Sequence, residues 1–169
     1  MSSTSQPSPR EVVITREFDA PREAVFRAWT DPEQLGHWFA PRGCTAEFRT
    51  LEVRVGGAFH SGIKMSNGHG CWCKGEYREL VAPERIVFTM AVVDEDGAAI
   101  DSSETGMDRQ WPRETTVTVT LAEVGGETRL TLHQAGEESI AERTWVLACW
   151  LEMFDRLGEE LDYVCELAR

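Results

Sequence analysis

His69, Cys71 and Cys73 stand in an H-x-C-x-C pattern, and His60 lies on the strand predicted just before them. Alternate positions of a strand share a face, so an imidazole and two thiols at this spacing could offer soft ligands to a metal ion from one side of a sheet. Zinc needs four ligands converging tetrahedrally. No C-x-x-C knuckle is present, and His60 falls on the parity opposite Phe59, which turns it away. The thiols therefore read as small buried hydrophobes, and neither a metal nor a cofactor is expected. Arg16 is the second chemically informative residue, because it shares the apolar parity of Val12, Ile14 and Phe18. A guanidinium facing a cavity would anchor a ligand carboxylate or phosphate. The alternative is an ion pair with a helix acid such as Glu152 or Asp155. Nothing resembles a G-x-S-x-G elbow, a G-x-x-x-x-G-K-[ST] phosphate loop or a G-x-G-x-x-G dinucleotide turn, so no catalytic residues are assigned.

The elements that must position these residues are legible in the pattern of the chain. Val12, Ile14, Arg16 and Phe18 alternate along a first strand that Asp19-Ala20-Pro21 ends. Val25, Phe26 and Trp29 give the following segment, about Arg22 to Thr30, an apolar helical face. Asp31 before Pro32 is an N-cap signal for a second short helix carrying Leu35, Trp38 and Phe39. Strands are predicted at Cys44–Glu52, Ala58–Met65, Gly70–Val81, Arg85–Val93, Glu114–Glu123 and Thr128–Gln134, with Ser66-Asn67-Gly68 as a hairpin turn and 94–113 as a long polar loop. From Glu138 to Arg169 the period changes to that of one long amphipathic helix, marked by Val146, Trp150, Met153, Leu157, Leu161 and Val164.

This order predicts an α+β fold: a curved antiparallel sheet of about seven strands wrapped around a long C-terminal helix, with two short helices after the first strand. Residues 1–10 read as a flexible tail and 11–169 as one domain. A curved sheet gripping a helix leaves space between the two surfaces. Charge on Lys74, Glu76 and Arg78, which share a side with Trp72, turns Cys71, Cys73, Gly75 and Tyr77 toward that space, together with Phe59, Ser61 and Ile63. The candidate ligand-binding residues are Arg16, Trp38, Phe39, Phe48, Phe59 and Cys73, joined by Tyr77, Phe88, Met90, Trp150 and Phe154.

The 169-residue chain carries a formal net charge of −12, which argues against a nucleic acid or an anionic membrane as partner. Five cysteines without a secreted framework, no signal-peptide pattern and no membrane-length apolar run point to the cytoplasm.

With the elements placed, REFDAPREAVFRAWTDPEQLGHWF, GCWCKGEYRELVAPERIVFT, WPRETTVTVTLAEVGGETRLTL and the closing WLEMFDRLGEEL resemble the bacterial homologues of the activator of the heat-shock chaperone ATPase. These belong to the START-like superfamily of helix-grip folds, and the resemblance runs from about Glu11 to Leu161. It implies the helix-grip fold, a cavity, and a homodimer or a chaperone as candidate partners. It also implies a range of activities, from lipid and hormone carriage through cyclases to co-chaperones. The eukaryotic co-chaperone uses an additional N-terminal domain for chaperone binding, and only ten residues precede Glu11 here. Binding of a small hydrophobic molecule is the leading expectation. A cyclase or hydrolase working through Arg16, Cys73 or Tyr77, and a co-chaperone-like module, are the alternatives.

Overall fold

The computed structural model describes residues 11–66, 70–98, 100, 112–137, 141 and 146–167. Seven strands form one antiparallel sheet: β1 (Glu11–Phe18), β2 (Cys44–Leu51), β3 (Ala58–Met65), β4 (Gly70–Val81), β5 (Arg85–Val93), β6 (Glu114–Val124) and β7 (Glu127–Glu137). Their spatial order is β1-β7-β6-β5-β4-β3-β2, so the first two strands in sequence lie at opposite edges. Helices α1 (Arg22–Thr30) and α2 (Pro32–Trp38) make the crossing between those edges. The closing helix α3 (Val146–Leu167) lies against the same face. This is the expected α+β helix-grip arrangement. The turn at Asn67-Gly68, most of the polar loop, and residues 138–140, 142–145 and 168–169 of the expected helix lie outside the described residues.

Local chemistry accounts for the crossing. Pro21 precedes α1 in extended backbone, and Asp31 caps α2 by accepting from the Glu33 amide at 3.0 Å, with Pro32 in the first turn. Trp38 donates its indole N–H to the Ala28 carbonyl at 2.9 Å, locking α2 to α1. Arg156 of α3 donates to the carbonyls of Ala40, Pro41 and Cys44 at 2.6, 3.3 and 3.2 Å, pinning the chain between α2 and β2. Buried Glu160 meets His37 Nδ1 at 3.0 Å and adds a second tie between α3 and α2.

An aromatic cluster occupies the junction of sheet and helices. Trp29 lies at its centre, with ring centroids 4.7 Å from Trp38, 6.2 Å from Phe88, 6.4 Å from Trp150 and 6.3 Å from Phe154. The paired strands β4 and β5 approach closely at Gly75. Gly75 leaves room there for the Thr89 carbonyl, and the Glu76 amide donates to Thr89 Oγ1 at 3.0 Å.

The opposite face of the sheet is less exposed than its charges suggest. Trp72 points outward as its parity requires, yet is buried, because the tilted His60 ring lies beside it and the Arg49 guanidinium lies 5.1 Å from its ring centroid. The polar end of His60 meets the Asp94 carbonyl at 3.3 Å, and the Arg49 guanidinium pairs with Glu95 at 2.5 Å while lying over the indole. Among the described residues no helix is long and apolar enough to cross a membrane.

Candidate functional site

Among the described residues, two cavities lie between the sheet and the helices. The larger, about 60 Å³, lies between β3, β4, β5 and α3. Phe39, Ile63, Met90, Val92, Trp150 and Met153 supply most of its apolar wall. At roughly 10–15 Å³ per water it has room for several water-sized centres. The smaller, about 10 Å³, is enclosed by Trp29, Leu35, Phe39, Phe48, Phe59, Tyr77 and Phe88. Phe39 borders both.

Polar groups enter the larger cavity in two sets. In the first, Trp150 Nε1 donates to Gln134 Oε1 at 2.8 Å, and Gln134 Nε2 donates to Thr115 Oγ1 at 3.0 Å. The chain runs from α3 across β7 to β6 and satisfies three buried groups in one network. Gln134→Ala is expected to cost about 1–3 kcal/mol, because it leaves the Trp150 N–H without a partner. Urea denaturation checks this, with Trp150→Phe in the Gln134→Ala background expected to recover part of the loss.

The second set is sulfur. Cys71 and Cys73 reach the cavity from β4, and Cys149 from α3 donates to the Met153 thioether at 3.5 Å. Burial pushes the Cys149 thiol up to about 12. The Cys73 thiol hydrogen-bonds to Cys71, which lowers the Cys71 thiol and raises Cys73 well above the ordinary range; burial of Cys73 acts in the same upward direction. In the smaller cavity, burial raises the Tyr77 hydroxyl to about 12. Trp29 Nε1 is buried and has no hydrogen-bond partner among the described residues.

The residues singled out in the sequence are distributed unevenly over this site. Phe39, Cys73, Met90 and Trp150 line the larger cavity, and Phe48, Phe59, Tyr77 and Phe88 line the smaller one with Phe39. Trp38 and Phe154 border neither and are fully buried in the aromatic core. Arg16 stands at the sheet margin, where Nη1 donates to Asp155 Oδ1 at 2.8 Å and Nη2 to the Leu151 carbonyl at 3.4 Å. It makes the helix pair foreseen as the alternative, and reaches neither cavity. Arg16, Cys73 and Tyr77 thus occupy three separate places and do not converge as an acid–base set. Among the described residues no group of three or more His, Cys, Asp or Glu side chains is placed to hold a metal ion.

Gln134, Thr115, Cys149 and Met153 were not singled out as site residues. The signal for Gln134 was present: a polar residue on the inward parity of Leu130 and Leu132, the same rule that drew attention to Arg16.

Comparison with known proteins agrees with this architecture. Residues 19–162 match the family model described as Activator of Hsp90 ATPase homolog 1-like protein. A crystal structure of a protein from Chromobacterium violaceum is 26% identical, with a TM-score of 0.70, covering 89% of this chain and 96% of that one. A solution structure of a protein from Arthrobacter aurescens is also 26% identical, with a TM-score of 0.75 and coverages of 89% and 85%. The AHSA1 protein from Silicibacter pomeroyi, at 21% identity and a TM-score of 0.72, shares the fold over 91% of this chain and 99% of its own. No curated protein matches the chain.

Proposed function

The chain belongs to the Activator of Hsp90 ATPase homolog 1-like family, and from that membership and its cavity we propose that it binds a small, largely apolar molecule between the sheet and α3. The observation that carries the reading is the larger cavity itself. Its wall is apolar and sulfur-bearing, and the Trp150–Gln134–Thr115 network leaves its polar atoms already paired. A lining of that kind favours a ligand recognised by shape and contact, with few hydrogen bonds of its own. Met90 and Met153 are the adaptable parts of the wall, since an unbranched thioether side chain can change rotamer as a ligand enters.

The protein labelled at its methionine methyl groups and titrated with 1-naphthol tests this. Saturable shifts are expected at Met90 and Met153, while exposed Met65 stays in place. Met153→Trp fills the cavity and is expected to weaken binding at least tenfold. Shifts confined to Met65, or undiminished affinity in the tryptophan variant, would refute the reading.

Family membership alone favours a second reading, a co-chaperone-like module. Retention of the host's own chaperone on the immobilised protein is its test, and no retention at high protein concentration counts against it.

A further inference from the structure

The wall of the larger cavity holds an unusual density of soft donors. Cys71 and Cys73 project from β4, Met90 from β5, and Cys149 and Met153 from α3, so five sulfur-bearing side chains border a space of about 60 Å³. We propose that this cavity is a binding site for a monovalent soft cation of the copper(I)–silver(I) class, held by the sulfurs of Cys71, Cys73 and Met153.

Three properties of the site select this chemistry. The first is ligand type: thiolate and thioether donors select soft ions, whereas magnesium, calcium and manganese favour carboxylates, and no Asp or Glu among the described residues lines this wall. The second is number. Zinc requires four converging ligands, and no three His, Cys, Asp or Glu side chains among the described residues are placed to hold a metal. Soft monovalent ions are satisfied by two or three donors, and accept thioethers among them.

The third is charge. Neither a Lys nor an Arg lines the cavity, so a buried ion must be neutralised by its own ligands. One thiolate and one monovalent cation form a neutral complex, while a divalent ion would leave a net positive charge in an apolar cavity. On binding, one thiol S–H bond of the Cys71–Cys73 pair is replaced by a sulfur–metal bond and its proton leaves to solvent. The other thiol and Met153 contribute lone pairs, and no electron changes hands. Met153 is already oriented by the Cys149 thiol, which donates to its sulfur at 3.5 Å.

The proposal shares its location with the apolar-ligand reading without depending on it. Silver nitrate, titrated into reduced protein in chloride-free, thiol-free buffer, is the test. The first equivalent is expected to shift the Met153 methyl resonance and leave Met65 unmoved, a readout taken on the unaltered protein. Its affinity is expected to fall at least tenfold in Cys71→Ala and in Cys73→Ala, and to be unchanged in Cys165→Ala, which removes a thiol outside the cavity. A first equivalent that leaves Met153 unmoved, or that binds Cys71→Ala as tightly as the parent, overturns the proposal. Silver(I) that moves Met153 where 1-naphthol moves nothing supports this site and removes the apolar-ligand reading. The reverse pattern removes this one.

Discussion

Trp29→Ala is expected to destabilise the protein by about 3–5 kcal/mol, the usual range for truncating a large buried aromatic. Trp29 is 2% exposed and lies within 6.4 Å, centroid to centroid, of Trp38, Phe39, Phe88, Trp150 and Phe154. It therefore contacts α2, β5 and α3 together. Its removal opens a void that no single neighbour can fill, since those neighbours are held by other ties: Trp38 to the Ala28 carbonyl and Trp150 to Gln134. A domain stabilised by about 5–15 kcal/mol loses a large part of its margin. With a urea m-value of roughly 1–3 kcal/mol per molar, the midpoint should fall by at least about 1 M. Trp29→Phe separates packing from polarity. It keeps most of the ring and deletes an N–H that is buried without a partner among the described residues, so it is expected to cost far less. If Trp29→Ala moved the midpoint no further than Val13→Ala, a truncation on the exposed side of β1, this view of the core would be wrong.

The prominence of Trp29 also shows where sequence reading reaches its limit. Alternation in β1, the Pro21 and Asp31-Pro32 boundaries and the 3.6-residue period of α3 report local backbone geometry, and the two boundaries, β1 and the Val146–Leu167 part of the expected helix appear in the structure where the pattern places them. Parity then assigned Phe59, Cys73, Phe88 and Met90 to the inner face, because a strand has only two sides. What parity does not contain is position along the third dimension. Arg16 and Gln134 obey the same rule, a polar residue among apolar neighbours on adjacent strands β1 and β7. Arg16 nevertheless stands at the margin, paired with Asp155, while Gln134 lies deep in the cavity wall, bonded to Trp150 and Thr115. The difference is set by where α3 crosses the sheet. That crossing is in turn fixed by contacts distant in sequence, such as Arg156 with the carbonyls of Ala40 and Cys44. Trp38 illustrates the same limit from the helical side. Its place on α2 made it a candidate for ligand contact, but its bond to Ala28 turns it into the α1–α2 junction, and Phe39 beside it takes the position bordering both cavities.

Gly75→Ala is expected to have an effect out of proportion to the single methyl group it adds. A Cβ at this position would overlap the Thr89 carbonyl oxygen of β5 and come within 2.6 Å of Phe59 Cε1 on β3. The phenyl ring could rotate; the carbonyl belongs to a strand paired on both sides, with β4 and β6. To admit the methyl group, β4 must lift from β5 at the point where the Glu76 amide bonds Thr89 Oγ1. Overpacking of this kind costs about 1–3 kcal/mol, and the upper end is expected here because the obstacle is backbone. The functional consequence follows from the neighbouring positions. Cys73 and Met90, on the two strands that must separate, form adjoining parts of the cavity wall. Separating β4 from β5 at Gly75 displaces both, so 1-naphthol and silver(I) should both bind more weakly to whatever fraction remains folded. Measured together, the urea midpoint and the Met90 methyl shift distinguish two causes. A lowered midpoint with an unchanged Met90 environment would mean that strain stays local to Gly75. A lowered midpoint with a displaced Met90 resonance is the expected result, and it would make the close approach of β4 to β5 at Gly75 the feature that shapes the cavity wall.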